Sequence, residues 1–493
     1  MPVPEDIRKV SRPKNTIVFA YGKNKDLYGV KSRTGCIRKD GRNVPVDGPV
    51  IGHIVNGTFM PLDDTPKIKH SDADYLRWAD AVLCDSLSKD ILEDLREVYH
   101  GSDAVRTYVI AMLRAIEPDI RDCELGTEYE ETFLSLMYPN VPLSKNSVGD
   151  HLRDLGRTCS RMTKFMQIRA ERVCADHIVA IDSTLKSDES YVNTFSDASY
   201  KTRHTGRRGI SIVYAFDVNT GEPVCSKAYP GNVVDVSLLE DFIRTQKVYR
   251  GMIVVDKGFS YGAAKDAFSK NPDLHFLIPL KRDAKVIAEY RMYDYNASVP
   301  GRSGLACRKE KMNDGKILYS FRDAGRASQE ESDWIGRHSE YDPAELAGLR
   351  KEFGSIVFIS DADMDCGVAY AAYEERWKIE KMFWIYKDIL GFDQTRVHSD
   401  TAVMGTEFVN FLSVLMEYRM RRAFSKVREL DGVPHRIVLR KLRRATKIRN
   451  SDGKWELRKI SEKDVNVLIE LGLIPMPETV KKKRGRPKKV VPG

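Results

Sequence analysis

The chain has 493 residues, of which 42% are hydrophobic and 31% charged, enough for roughly two to four domains with a sizeable core. No uninterrupted apolar run of about 18 residues occurs, which argues against a helical membrane span, and the opening Met1-Pro-Val-Pro-Glu-Asp-Ile-Arg8 lacks the basic-then-apolar pattern of a secretory leader. The net charge of +9 admits a polyanionic partner, and the excess sits near the C-terminus.

The eight cysteines (Cys36, Cys84, Cys123, Cys159, Cys174, Cys225, Cys307, Cys366) are scattered, with no pair at zinc-finger or ribbon spacing. Free thiols fit a reducing compartment, so a cytoplasmic protein with no membrane partner is expected.

In chain order, residues 1–70 read as a small β-rich module, with short strands such as Thr16–Tyr21 and Val50–Val55 broken by Asp-Gly and Asn-Gly turn signals. Residues 71–172 turn to helical periodicity, with helices expected over Ala73–Leu87, Ser88–His100, Asp103–Ile116 and Glu128–Met137. Within this region Ser144 caps a helix carrying Val148, Leu152 and Leu155, with Gly156 as its stop. Two readings stand for that helix: half of a DNA-binding helix-turn-helix, or ordinary helical packing.

An α/β pattern follows. Strands are expected at His177–Leu185, Gly209–Asp217 and Pro223–Tyr229, then a helix at Ser237–Thr245 and a strand at Met252–Asp256. A helix at Tyr261–Ser269 and a strand at His275–Leu280 complete the series. Three strands, then helix, strand, helix, strand, is the order of a ribonuclease-H-like core. The core is assigned to residues 173–281 and 354–418, interrupted by an insertion at 282–353 with one strand near Lys316–Phe321 and one helix near Asp342–Lys351. Ser355–Ser360 resumes as a strand, Asp365–Ile389 is one long helix, and Thr406–Arg419 is another.

On a regular helix, at about 100° per residue, Tyr373, Arg376, Glu380 and Lys387 fall within an arc of roughly 60°. Ile379, Met382, Phe383, Tyr386, Ile389 and Leu390 make the neighbouring core stripe. Residues 419–480 read as a basic helical region, from Arg419, Arg421 and Arg422 to Arg443, Arg444, Lys447 and Arg449, whose one-sided charge favours a polyanion over mutual ion pairing. Residues 481–493 form a basic tail in which Arg484, Gly485, Arg486 and Pro487 resemble an AT-hook for a narrow minor groove. The bland alternative is a generic basic tail that adds non-specific affinity.

Three carboxylates stand out by position: Asp182 within the first core strand, Asp256 at the end of the fourth, and Glu380 on the polar face of the long helix. Magnesium takes oxygen ligands, and two ions about 3.5–4 Å apart can clamp the attacking and leaving oxygens of an in-line phosphoryl transfer. In a ribonuclease-H-like layout these three elements converge.

Tyr373-x2-Arg376-x3-Glu380-x6-Lys387, with Ile181-Asp-Ser-Thr184, Pro230-Gly-Asn-Val-Val-Asp235 and Val255-Asp-Lys-Gly-Phe259, resembles the motif blocks of insertion-sequence transposases of the Asp-Asp-Glu class that carry a Tyr-Arg-Glu-Lys signature. The resemblance covers roughly residues 175–415. It implies an α/β fold built on a ribonuclease-H-like catalytic core with a β-rich insertion, plus N-terminal β and helical DNA-binding regions. It implies that Asp182, Asp256 and Glu380 bind two Mg²⁺ ions (or Mn²⁺), and that Tyr373, Arg376 and Lys387 contact DNA phosphates. The implied reaction is water attack at the element's end, followed by attack of the freed 3′-OH on the opposite strand or on target DNA. Double-stranded DNA and a homodimer are the implied partners, in a prokaryotic, nucleoid-associated setting. Some relatives stack a flipped base on a Trp of the insertion. Trp334 is the only Trp there, and packing is its competing role. Asn232 and Asp235 are expected to shape the turn beside the site, and His177, His204 and His398 to play solvent or core roles. Two rivals remain: a ribonuclease-H-like nuclease without strand transfer, and a non-catalytic AT-hook regulator.

Overall fold

The computed structural model describes residues 3–21, 27–39, 42–61, 75–199, 207–233, 235–259 and 261–475. It divides into two units, Met1–Ala73 and Asp74–Gly493. The AT-hook-like residues 484–487 and His204 lie outside the described residues.

The first unit carries a short helix α1 (Glu5–Arg8) and four strands, β1 (Thr16–Tyr21), β2 (Leu27–Lys39), β3 (Arg42–Val55) and β4 (Thr58–Pro61), in an antiparallel sheet of order β1-β2-β3-β4. Asn56 and Gly57, both at positive φ, form the two-residue turn between β3 and β4, the geometry that matches strand twist.

The second unit opens differently from the expected helix at Ala73. Tyr75–Arg77 is a strand, β5, and the first helix is α2 (Ala79–Ser86). Then come α3 (Lys89–Val98), α4 (Gly101–Ile116), α5 (Leu125–Glu131), α6 (Leu134–Met137), α7 (Lys145–Arg157) and α8 (Cys159–Ala170). The single helix expected over Glu128–Met137 is two short ones, with Thr132 extended between them. Ser144 does cap α7, accepting from the Ser147 N–H. Gly156, however, is not the stop. It lies inside α7, where a Cβ would come within 1.8 Å of the Thr401 carbonyl oxygen, and at Gly405 a Cβ would come within 1.9 Å of the Leu152 carbonyl oxygen. Two helices cross here backbone to backbone, so α7 is packed against its neighbour along its Val148, Leu152 and Leu155 face.

The α/β layer contains β6 (Ile178–Ser187), β7 (Asp197–Ala198), β8 (Arg208–Asp217), β9 (Glu222–Pro230), α9 (Asp235–Gln246), β10 (Gly251–Val255), α10 (Tyr261–Lys270) and β11 (Leu274–Pro279). Strand β6 lies between antiparallel β8 and parallel β10, while β9 pairs antiparallel with β8 and β11 parallel with β10. The spatial order is therefore β9-β8-β6-β10-β11. These strands are nearly continuous apolar runs, as expected where both faces are covered.

The insertion is richer than its sequence suggested. It holds α11 (Lys285–Glu289), β12 (Ala297–Ser298), β13 (Leu305–Lys311), β14 (Ile317–Asp323), α12 (Ala324–Arg337) and α13 (Pro343–Leu349), before β15 (Ser355–Ser360). Strand β15 pairs with both β14 and β11, so the insertion continues the core sheet outward as β15-β14-β13-β12. The charged sequence hid β13 because only its first half faces a core.

The expected long helix is broken. It runs as α14 (Cys366–Glu375), a turn at Arg376, α15 (Trp377–Trp384) and a π-helical turn at Ile385–Ile389. Of its expected apolar stripe, Ile379, Met382, Phe383, Tyr386 and Leu390 are buried and Ile389 is half-buried. Then α16 runs over Asp400–Phe424, longer than expected, and it is largely buried. The C-terminal region adds a 3₁₀ turn (Arg428–Leu430), α17 (His435–Arg443), β16 (Thr446–Arg449), β17 (Trp455–Leu457) and α18 (Glu462–Glu470). It is not purely helical, since β16 pairs with β5 and β17 in a three-stranded sheet. Nor are all its cations available to a polyanion. Arg419 pairs with Asp90 and Glu222, Arg421 with Glu417, and Arg443 with Glu117. Glu417 lies one turn away on the same helix, whereas Asp90, Glu222 and Glu117 come from distant segments that local charge counting could not see.

Candidate active site

The register of β6 and β10 builds the site. Val255 lies opposite Ile181 in the parallel pair, so Asp256, the next residue, leaves β10 beside Asp182. Helix α15 packs over β6 through its apolar side, with Phe383 edge-on to Tyr214 of β8 at 5.9 Å. That docking turns Glu380 toward the same strand ends.

The three carboxylates converge on one guanidinium. Arg376 Nη1 lies 3.5 Å from Asp182 Oδ2, and Nη2 lies 3.8 Å from Asp256 Oδ1 and 2.9 Å from Glu380 Oε1. The Arg376 side chain is only 12% exposed, against 59% for Glu380. Burial lowers the Arg376 pKa, but Asp256, Tyr373, Asp182 and Glu380 together outweigh it and hold the group above its ordinary value. The Arg376 Nε is buried and has no hydrogen-bond partner. With the guanidinium among them, the triad oxygens do not close into a compact ligand cage. Among the described residues, the donors that do lie within 4.8 Å of one another are those of Cys174, Asp176 and His177, where His177 Nδ1 is paired with Asp217 at 2.7 Å.

Tyr373 ends α14 beside this cluster, its ring 5.6 Å from the Arg376 Cζ and 4.6 Å from the Phe358 ring of β15. Burial, reinforced by Asp256, raises its phenol pKa against the opposing pull of Arg376, so it stays protonated. Arg376 keeps right-handed helical backbone angles at the joint, and the departure from a regular helix comes at the π turn that carries Lys387. Tyr373, Arg376 and Glu380 are brought together, and Lys387 lies on the π turn that follows. Trp334 sits on α12, stacked on His338 at 4.2 Å and packed against the Ala327, Leu346 and Phe353 cluster, which serves the packing reading. Asn232 is exposed in the turn after β9, and Gly231 there is indispensable: a Cβ would meet the Gly209 carbonyl oxygen at 2.1 Å.

Two features escaped the sequence. The insertion sends Arg326 and Glu330 of α12 toward the site, where Arg282 and Arg326 both hold Glu330, at 2.7 and 3.0 Å. Lys257, next to Asp256, is held below its ordinary pKa first by burial and then by Arg282 and Arg326. The signal was present in the Asp323 cap that opens α12. The second feature is a buried network. Lys186 Nζ lies 2.7 Å from Glu407 Oε1, and Glu407 also accepts from Tyr386 Oη at 2.5 Å and Asn410 Nδ2 at 3.1 Å. Asn410 in turn accepts from Arg114 at 3.0 Å. This network ties β6, four residues beyond Asp182, to the π turn, α16 and α4.

No helix among the described residues is long and apolar enough to cross a membrane. No match was found among curated proteins. One solved structure that resembles the chain is a cryo-EM structure of a piggyBac transposase synaptic complex with hairpin DNA, at 14% identity and a TM-score of 0.41, over 74% of this chain and 80% of that one. That likeness is too distant to bear on function. Residues 174–414, which contain the three carboxylates, match the family model described as Transposase DDE domain. This stretch, just under half of the chain, matches a transposase DDE domain, and the match supports a DDE transposase enzyme.

Proposed function

We propose that the chain cleaves DNA at the ends of an insertion sequence and transfers the freed strands into target DNA, using Asp182, Asp256 and Glu380. The observation that carries this reading is the convergence of three carboxylates, from β6, the end of β10 and α15, on a single positive group. A donor set of carboxylate oxygens that already surrounds a cation fits a hard divalent ion such as Mg²⁺ or Mn²⁺. DDE transposases use divalent metal ions. When bound, such ions would supply Lewis acidity at the scissile phosphate, and a pair of them per site is part of this proposal.

The remaining work falls to the chain itself. Strand order β9-β8-β6-β10-β11 supports a ribonuclease-H-like core, which presents Asp182 and Asp256 at neighbouring strand positions. Tyr373, Arg376 and Lys387 supply a phenol, a forked guanidinium and a point charge for the phosphates around the cut. This assignment places the chain in the group with the Tyr-Arg-Glu-Lys signature. The tail at Arg484, Gly485, Arg486 and Pro487 adds a minor-groove contact. Paired ends call for a homodimer on DNA, in the nucleoid of a prokaryotic cytoplasm.

The test is incubation of the protein with flanked inverted repeats and Mg²⁺. Nicks at the repeat boundary with joined products are expected, and Glu380→Ala should abolish both while end binding persists. Cutting without joining would replace this reading with a nuclease, binding without cutting with a regulator, and full activity of Glu380→Ala would overturn the triad.

A further inference from the structure

The guanidinium at the focus of the triad poses an electrostatic problem. One positive charge faces three negative ones, and it occupies the space on which their oxygens converge. Arginine cannot shed its proton at any working pH. It can make room for another cation only by moving.

Its present contacts are poor for so polar a group. Of its three carboxylate contacts only that with Glu380, at 2.9 Å, is a hydrogen bond, and Tyr373 adds a side-chain hydrogen bond of its own. The Asp182 and Asp256 contacts, at 3.5 and 3.8 Å, are Coulombic. The Nε is buried with no acceptor, an arrangement that calls for a missing partner. A phosphate offers what the carboxylates do not, namely acceptors spaced for a forked, charge-assisted pair that includes Nε. The backbone favours such a swing. Arg376 sits at the joint between α14 and α15, where its N–H bonds to the Tyr373 carbonyl and its own carbonyl accepts from Ile379, both three residues apart. The Tyr373 ring, 5.6 Å from Cζ, gives the cation a second surface to rest on.

We propose that Arg376 is an internal counter-cation that holds the place of divalent ions among Asp182, Asp256 and Glu380 until a DNA phosphate draws it away, so that DNA binding opens the site to metal. This rests on the proposed function, because it takes the triad to be the metal site. It adds an order of events: DNA first, metal second. An enzyme built this way keeps its carboxylates neutralised, and its cutting centre unloaded, until a substrate backbone is in place.

The experiment measures Mn²⁺ binding to the full chain by electron paramagnetic resonance, with and without a short blunt-ended DNA duplex, the duplex alone serving as blank. Without DNA, Arg376→Gln should bind Mn²⁺ about tenfold more tightly than the wild type, a difference of about 1.4 kcal/mol. Adding the duplex should tighten Mn²⁺ binding to the wild type by a similar factor and leave Arg376→Gln unchanged. Arg376→Lys, which keeps the charge without the fork, should remain weak without DNA and serves if the Gln variant does not fold. Equal or weaker Mn²⁺ binding by Arg376→Gln, or a wild type indifferent to the duplex, overturns the proposal. Asp182→Asn separates it from the reading beneath it: undiminished Mn²⁺ binding by that variant would show that the triad is not the metal site at all.

Discussion

Replacing Lys186 with Met removes a buried ammonium and leaves its partner carboxylate in place. Lys186 and Glu407 side chains are 2% and 7% exposed, 2.7 Å apart, so water cannot take over the lost pairing. Breaking such a pair costs about 3–5 kcal/mol. Glu407 keeps two other donors, Tyr386 and Asn410, which puts the expected loss at the lower end, about 3 kcal/mol. Burial holds the Tyr386 phenol far above its ordinary pKa, so it remains a donor throughout. Lys186→Met with Glu407→Gln removes both charges while a carbonyl oxygen still accepts from Tyr386. The double variant should therefore be more stable than the sum of the two single losses predicts, with a coupling of about 1–3 kcal/mol. Urea unfolding followed by tryptophan fluorescence is the assay, because Trp78, Trp334, Trp377, Trp384 and Trp455 all belong to the second unit. Additive single losses, within about 0.5 kcal/mol, or a Lys186→Met loss below about 1 kcal/mol, would refute the argument.

His151 on α7 is buried against Thr107 of α4, and burial, aided by Arg106, lowers its pKa to about 4. The native state thus resists a proton that the unfolded chain accepts near 6.5. Stability is full above about pH 6.5 and falls as pH drops toward 4, by about 2–3 kcal/mol in all. His151→Gln should flatten that slope in urea titrations, and an unchanged slope would assign it to other groups. Gly405→Ala carries a diagnostic sign. Helix propensity alone would stabilise it by about 0.8–1 kcal/mol, whereas a Cβ 1.9 Å from the Leu152 carbonyl oxygen should cost about 1–3 kcal/mol. A raised urea midpoint would mean that the helices α7 and α16 are not in that contact.

The elements that carry the three carboxylates were legible because they obey local rules. Asp182 and Asp256 each follow directly on a short apolar run, Ile178–Ile181 and Met252–Val255, and Glu380 stands beside a clear apolar stripe. What was lost depended on distant residues. Tyr75–Arg77 is a strand only because β16, more than three hundred residues later, pairs with it. Arg419 looked like a DNA contact until Asp90 and Glu222 arrived beside it. The joint at Arg376 leaves no mark in hydrophobic spacing, because the apolar stripe of Ile379 to Leu390 begins only after it. The resemblance implied a phosphate for Arg376, and nothing in the spacing announced that the carboxylates would be its neighbours within the chain. Gly156 reads as a helix stop by type, and only the α16 backbone against it explains why no other residue fits.

The sheet continuation through β15 bears on how the chain is made. Strand β11 ends at Pro279, and its outer edge is paired by a strand that begins at Ser355. During synthesis at about 5–20 residues per second, that edge waits about 4–15 s for its cover. For that interval an apolar strand, Leu274-His-Phe-Leu-Ile-Pro279, presents unpaired backbone to any passing chain. The insertion thus sets how late the closing strand β15 arrives, and a chain cut short before Ser355 should first betray itself as aggregation of nascent protein.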